Sequence, residues 1–187
     1  MSLVLLGILN SQAAAGGGEA YDLLETQVLT GTASSITFTG LGSYSDYKHL
    51  QIRAVAKTNR SATNENTRLQ INSDTGSDYS RHQLRGTGSS VVSEAATSQT
   101  SAFIATIAGA TSDSDSFSVF VSDILDFSSG SKNTTIRTLY GGLHNYTEIG
   151  LSSGAYFDTS AVTSLELILQ SGGSFVSGSR FSLMGVR

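Results

Sequence analysis

Tyr44-Ser-Asp-Tyr-Lys-His-Leu-Gln-Ile-Arg53 decides the fold class. Leu50, Ile52 and Ala54 alternate with Gln51, Arg53 and Val55, the period-two pattern of a strand with one buried face. Upstream, Ser35-Ile-Thr-Phe-Thr39 repeats the alternation, and Gly40 and Gly42 supply a break between the two runs. This pattern predicts two strands opening an antiparallel sheet.

The rest of the chain continues in the same style. Strands are predicted over 21–30, 34–39, 48–57, 66–71, 102–107, 116–127, 134–145, 164–169 and 180–186. Phe117, Val119 and Val121 alternate with smaller or polar groups, and the Val-Ser-Asp step in the middle of the run suggests a bulge or a bend. Long loops are expected over 58–67, 72–101 and 109–116. The best helical candidate, 91–100, is Ala-rich but interrupted by Ser, which favours a loop. Short strands at this spacing predict an all-β protein, an antiparallel β-sandwich of jelly-roll type, with a barrel second.

Composition narrows the function classes. A length of 187 residues suits one core. Only 14% of residues are charged, and polarity comes from Ser, Thr, Asn and 20 glycines, a surface suited to being covered by neighbours. A net charge of −4 argues against a general nucleic-acid binder. Without cysteine there is no disulfide framework, thiolate site or thiol nucleophile. Without proline, sheet edges must be short, covered, or paired with another subunit.

Residues 1–20 form a segment of a different kind. Leu3, Leu5, Leu6, Ile8 and Leu9 precede a Gly-rich hinge at 16–18. A membrane-spanning helix is excluded by length. A signal peptide lacks its basic lead, since no Lys or Arg precedes the apolar run. An internal core strand is a further reading. The expectation is a docking arm (1–20) on a sandwich domain (21–187). Burying its six aliphatic side chains is worth roughly 9–18 kcal/mol gross. Ordering nine residues costs on the order of 13 kcal/mol, so the arm orders only in a preformed groove.

No motif announces chemistry. Asn72-Ser-Asp-Thr-Gly-Ser-Asp78 spaces oxygen donors as calcium loops do, but it has no distal Glu, and an Asx-turn is the simpler reading. His49, His82 and His144 show no metal-ligand spacing, and no Gly-x-Ser-x-Gly elbow between a strand and a helix is present. Neither a catalytic residue, a metal nor a cofactor is expected. Tyr44, Tyr47, Tyr79, Tyr146 and Tyr156 fall in or near predicted turns and could stack on sugars, so a carbohydrate- or receptor-binding head is the alternative from another class. Among them Tyr44, Tyr79, Tyr146 and Tyr156 are the candidate ligand-facing aromatics.

Ser34-Ser-Ile-Thr-Phe-Thr-Gly-Leu41, Tyr47-Lys-His-Leu-Gln-Ile-Arg53 and Leu69-Gln-Ile-Asn-Ser-Asp-Thr-Gly-Ser-Asp-Tyr79 resemble tailed-bacteriophage virion structural proteins. So do Asp123-Ile-Leu-Asp-Phe127, Ser131-Lys132 and the closing Gly172-Gly-Ser-Phe-Val-Ser-Gly-Ser-Arg-Phe-Ser-Leu-Met-Gly-Val186, which resembles the family's terminal hairpin. The succession covers about 20–187. Leu69-Gln-Ile-Asn stands where Phe-Asn is usual, and Met184 where Tyr is common. The resemblance implies a non-enzymatic β-rich component of the particle, carried in several copies. The expectation is a capsid decoration (cement) protein, a homotrimer contacting the major capsid protein or other virion proteins, assembled into the virion in the host cytoplasm. Tail, baseplate or fibre proteins share the pattern. Neither a nucleic acid nor a membrane partner is expected, and a glycan remains an alternative ligand.

Overall fold

Ile36 and Phe38 from one sheet face Leu50, Ile52 and Ala54 from another, and all five are buried. The computed structural model describes residues 20–142 and 148–187. Among these, twelve strands form and no α-helix does. They are β1 (Tyr21–Val28), β2 (Ser35–Thr39), β3 (His49–Ala56), β4 (Asn64–Ile71), β5 (Tyr79–Gly86) and β6 (Val91–Gln99), then β7 (Ala102–Ala108), β8 (Ser118–Leu125), β9 (Thr134–Gly142), β10 (Glu148–Tyr156), β11 (Ser164–Leu169) and β12 (Arg180–Val186).

The strands make two antiparallel sheets of unequal width. One has eight strands in the order β1-β12-β3-β8-β9-β10-β5-β6, the other four in the order β2-β11-β4-β7. Setting aside the hairpins β5–β6 and β9–β10 leaves two four-stranded sheets, β1-β12-β3-β8 and β2-β11-β4-β7. That is the eight-strand jelly roll, in which the chain alternates between facing sheets. Both hairpins are insertions, one between β4 and β7 and one between β8 and β11, and both widen the same sheet.

The core lies between the sheets. Phe120, Ile124, Ile136, Phe181 and Leu183 meet Leu69, Ile71, Leu165 and Leu167, all buried. Phe175 and Phe181 meet edge to face with ring centroids 5.0 Å apart. At β10 the packing leaves no room for a side chain, because a Cβ on Gly150 would overlap the Tyr140 ring.

Several expectations are corrected. The two opening strands lie in opposite sheets, joined by a 3-10 turn at Leu41–Tyr44 whose Leu41 is buried. The closing segment is likewise a crossing between sheets rather than a hairpin, since β11 and β12 are in different sheets and Phe175 bridges to Ala33 and Thr58. β8 pairs with β3 and β9 without a register break, so the expected bulge is not formed. The expected 72–101 loop contains β5 and β6, and the Ala-rich 91–100 stretch is β6. β10 was absent from the predicted strands. The 109–116 loop is held by Lys57, whose Nζ donates to the carbonyls of Asp113 (2.6 Å) and Ser114 (3.0 Å).

Gly150→Ala should destabilise the domain by about 1–3 kcal/mol through overpacking against Tyr140. Gly130→Ala, where an added Cβ meets nothing within 4 Å, serves as the neutral control. Urea midpoints at constant m-value provide the measurement.

Candidate interaction surface

The small sheet covers only part of the large one, and the uncovered strands carry an inverted side-chain pattern. In β10, Glu148, Gly150 and Ser152 face inward while Ile149 and Leu151 face solvent. In β5, Gln83 is buried while Leu84 is half exposed. In β8, which packs on the core through Phe120 and Ile124, Ser118 and Ser122 also face in and Val119 and Val121 face out. Polar groups occupy the interior here and aliphatic groups occupy the surface.

The inward polar groups close a ring. Arg81 donates to Gln83 Oε1 (3.3 Å) and to Glu94 Oε2 (3.2 Å). Arg85 bridges Glu94 Oε1 (3.1 Å) and Glu148 Oε2 (3.2 Å). The Tyr140 hydroxyl donates to Glu148 Oε1 (3.1 Å) and accepts from Gln83 Nε2. Two cations and two carboxylates thus neutralise each other around a polar cavity of about 260 Å³. The Arg81 and Arg68 guanidinium groups lie over the Phe103 ring at 5.3 and 5.6 Å. With these groups committed to one another, the ring's evident work is to fill and satisfy the space beyond β7.

The outward groups form a band. Val121, Leu139, Leu151 and Leu84 are direct cross-strand partners on four consecutive strands. One pair along, the next row is Val119, Gly141, Ile149, Gly86 and Val91. Exposure is about half for Leu84, Leu139 and Leu151, and reaches 75% for Val91. No charge falls within these two rows on β8, β9, β10, β5 and β6. Charges begin at the margins, where Arg53 and Arg180 rim a 420 Å³ groove floored by Leu23, Val55 and Met184. This contiguous uncharged patch makes the outer face of the large sheet the candidate interaction surface.

The tyrosines are placed differently from expectation. Tyr79 and Tyr156 are buried and stacked, with centroids 4.8 Å apart, so neither faces a ligand. The Tyr79 hydroxyl accepts from the Ile71 amide (2.9 Å), and that of Tyr156 donates to Asp74 Oδ2 (2.9 Å). Tyr44 packs partly buried against the core. Tyr47 donates to Asp22 Oδ2 (2.8 Å). Tyr146, His144 and the arm residues Leu3, Leu5, Leu6, Ile8 and Leu9 lie outside the described residues.

The Asp-rich loop is an Asx turn, in which Asp74 Oδ1 accepts from the Gly76 amide (2.7 Å). Among the described residues no group of three or more His, Asp or Glu is placed to hold a metal. His49 Nδ1 accepts from the Asp126 amide (2.9 Å), a strand-end tie. The band could have been found in the sequence as aliphatic residues alternating out of phase with polar ones, but nothing there says which phase faces in.

Burial pushes the Tyr79 and Tyr140 hydroxyls up to about 12, and raises Tyr156 as well. The folded protein therefore holds these protons to higher pH than the unfolded chain, whose tyrosines titrate near 10. Their contribution to stability is complete below pH 10 and is lost as pH rises toward 12. Urea midpoints across pH 9–12 should fall over that window, with buried tyrosinate absorbance appearing together with unfolding.

No protein-family profile matches the chain, and no curated protein matches it. Among solved structures, the Caenorhabditis elegans galectin LEC-6 is similar over 90% of this chain and 96% of its own, at 11% identity and a TM-score of 0.31. A likeness that loose carries no argument about ligand or function.

Proposed function

We propose that this chain is a non-enzymatic structural subunit of a bacteriophage virion, carried in many copies as a decoration protein on the head. The observation that carries this reading is the uncharged aliphatic band on the outer face of the eight-stranded sheet. A domain working alone in water gains nothing from turning Leu84, Leu139, Ile149 and Leu151 outward while burying Glu148 and Gln83. A subunit that is covered on assembly does. The sequence resemblance to tailed-phage virion proteins supplies the particle, and the Leu-rich leading segment supplies a second apolar contact.

The mechanism is mechanical. Each contact is weak alone, because ordering the arm offsets most of what its burial contributes. Several such contacts made together on a repeating lattice hold by avidity without chemistry.

Two variants test this. Deleting residues 2–18, and separately replacing Leu139→Asp with Leu151→Asp, should leave the folded domain's thermal midpoint within a few degrees, since both leucines are half exposed. Each should lower co-sedimentation with particles by at least tenfold, and imaging of labelled protein should place it on the head. Undiminished particle binding by both variants would overturn the reading. Label confined to the tail would move the subunit there.

A further inference from the structure

Among the described residues the sheets end in four edge strands, and three are guarded. β1 carries a bulge between Leu23 and Glu25 beside the acidic Asp22. β2 has only five residues. Every residue of β7 is buried. The fourth edge, β6, is nine residues long and none of them is buried. Its one charge, Glu94, points inward, where Arg81 and Arg85 neutralise it. With no proline in the chain, β6 presents an open row of amides and carbonyls. It pairs residue for residue with β5 from Val91 to Ala96, after which the register breaks near Ser98, a non-glycine residue at φ 54°.

We infer that β6 pairs antiparallel with β6 of a second copy of this chain, about a two-fold axis through Ser93. Three constraints select the occupant and the register. An identical strand leaves no edge open on either subunit, and antiparallel self-pairing is the form a two-fold contact takes. Directly opposite residues share a face, so inward Val92, Glu94 and Ala96 must meet inward residues. An axis through Glu94 would set two carboxylates opposite each other, and an axis through Ala95 would draw the Ser98 irregularity into the ladder. The axis through Ser93 avoids both and, unlike one through Val92, keeps Ala95 paired within the strand rather than against the 87–90 turn, placing Val91 against the partner's Ala95 and Val92 against the partner's Glu94. The joined sheet also brings two copies of the apolar band onto one face, with Val91 and Leu84 nearest the seam.

Such a contact is small, below the roughly 1,200 Å² of a standard interface, so the free dimer is weak and concentration-dependent. It is two-fold, unlike the three-fold contact of the expected trimer. It rests on the edge strand and not on the arm, so it stands or falls separately from the virion reading.

The absence of cysteine makes the test clean. Full-length Ser93→Cys under mild oxidation should trap a disulfide dimer well ahead of Thr26→Cys, an exposed position on the opposite edge. Adding Val91→Lys with Ala95→Lys places lysine against lysine and should slow trapping about tenfold. Val91→Glu with Ala95→Lys should restore it, with circular dichroism confirming the fold in each. Trapping no faster than Thr26→Cys, or indifference to the charge pairs, would overturn the inference, whatever the outcome of the particle-binding experiments.

Discussion

An eight-stranded sheet facing a four-stranded one leaves one end of the larger sheet, at β10, β5 and β6, with little apolar cover among the described residues, and most of this protein's peculiarities follow from that mismatch. The jelly-roll strands close an ordinary hydrophobic core between them. β5 and β10 meet the small sheet at its edge strand β7, where Arg81 lies over the Phe103 ring and Ser152 Oγ donates to the Phe103 carbonyl (3.4 Å). Polar side chains must pair with one another there, and the Arg81–Glu94–Arg85–Glu148–Tyr140–Gln83 ring does so without a free charge, leaving Arg81 Nε as its one buried polar atom without a partner. A half-satisfied network would be worse than an apolar core, which explains why the ring closes. The outer face is freed from the usual rule, and it is aliphatic.

This arrangement explains which strands were legible. β2, β3, β8, β9, β11 and β12 bury one face on the core, and Ile36, Leu50, Ile136, Leu165 and Phe181 mark that face by their spacing. β5 reads Tyr-Ser-Arg-His-Gln-Leu-Arg-Gly, with Arg81, Gln83 and Arg85 at the inward positions. No hydrophobic period survives in it, because its interior is the polar ring. β6 has no buried face at all, so its Ala-Ser composition carries no signal. β10 alternates, but glycine and serine sit on its inner side, which gave no reason to choose a strand.

The site was less legible than the fold. Sequence placed the apolar contact in the leading segment and the ligand-facing aromatics in turns. Tyr79 and Tyr156 are instead the buried posts that hold the 72–78 loop, since a tyrosine at a strand end is as able to reach inward to Asp74 and Ile71 as outward. Ile149, Leu151 and Leu84 carry the exposed surface, and only cross-strand register shows that they adjoin. Pairing partners far apart in sequence cannot be read from local pattern, and a one-residue shift would bury that face instead.

The central claim is that the outer face of the large sheet is covered when the protein performs its role. Amide hydrogen exchange on free and particle-bound protein addresses it directly. Coverage predicts added protection over β8, β9, β10 and β5, around Val121, Leu139, Leu151 and Leu84, with β2 and β11 of the small sheet unchanged. Equal exchange across those four strands in both states, with protection gained elsewhere, would contradict it.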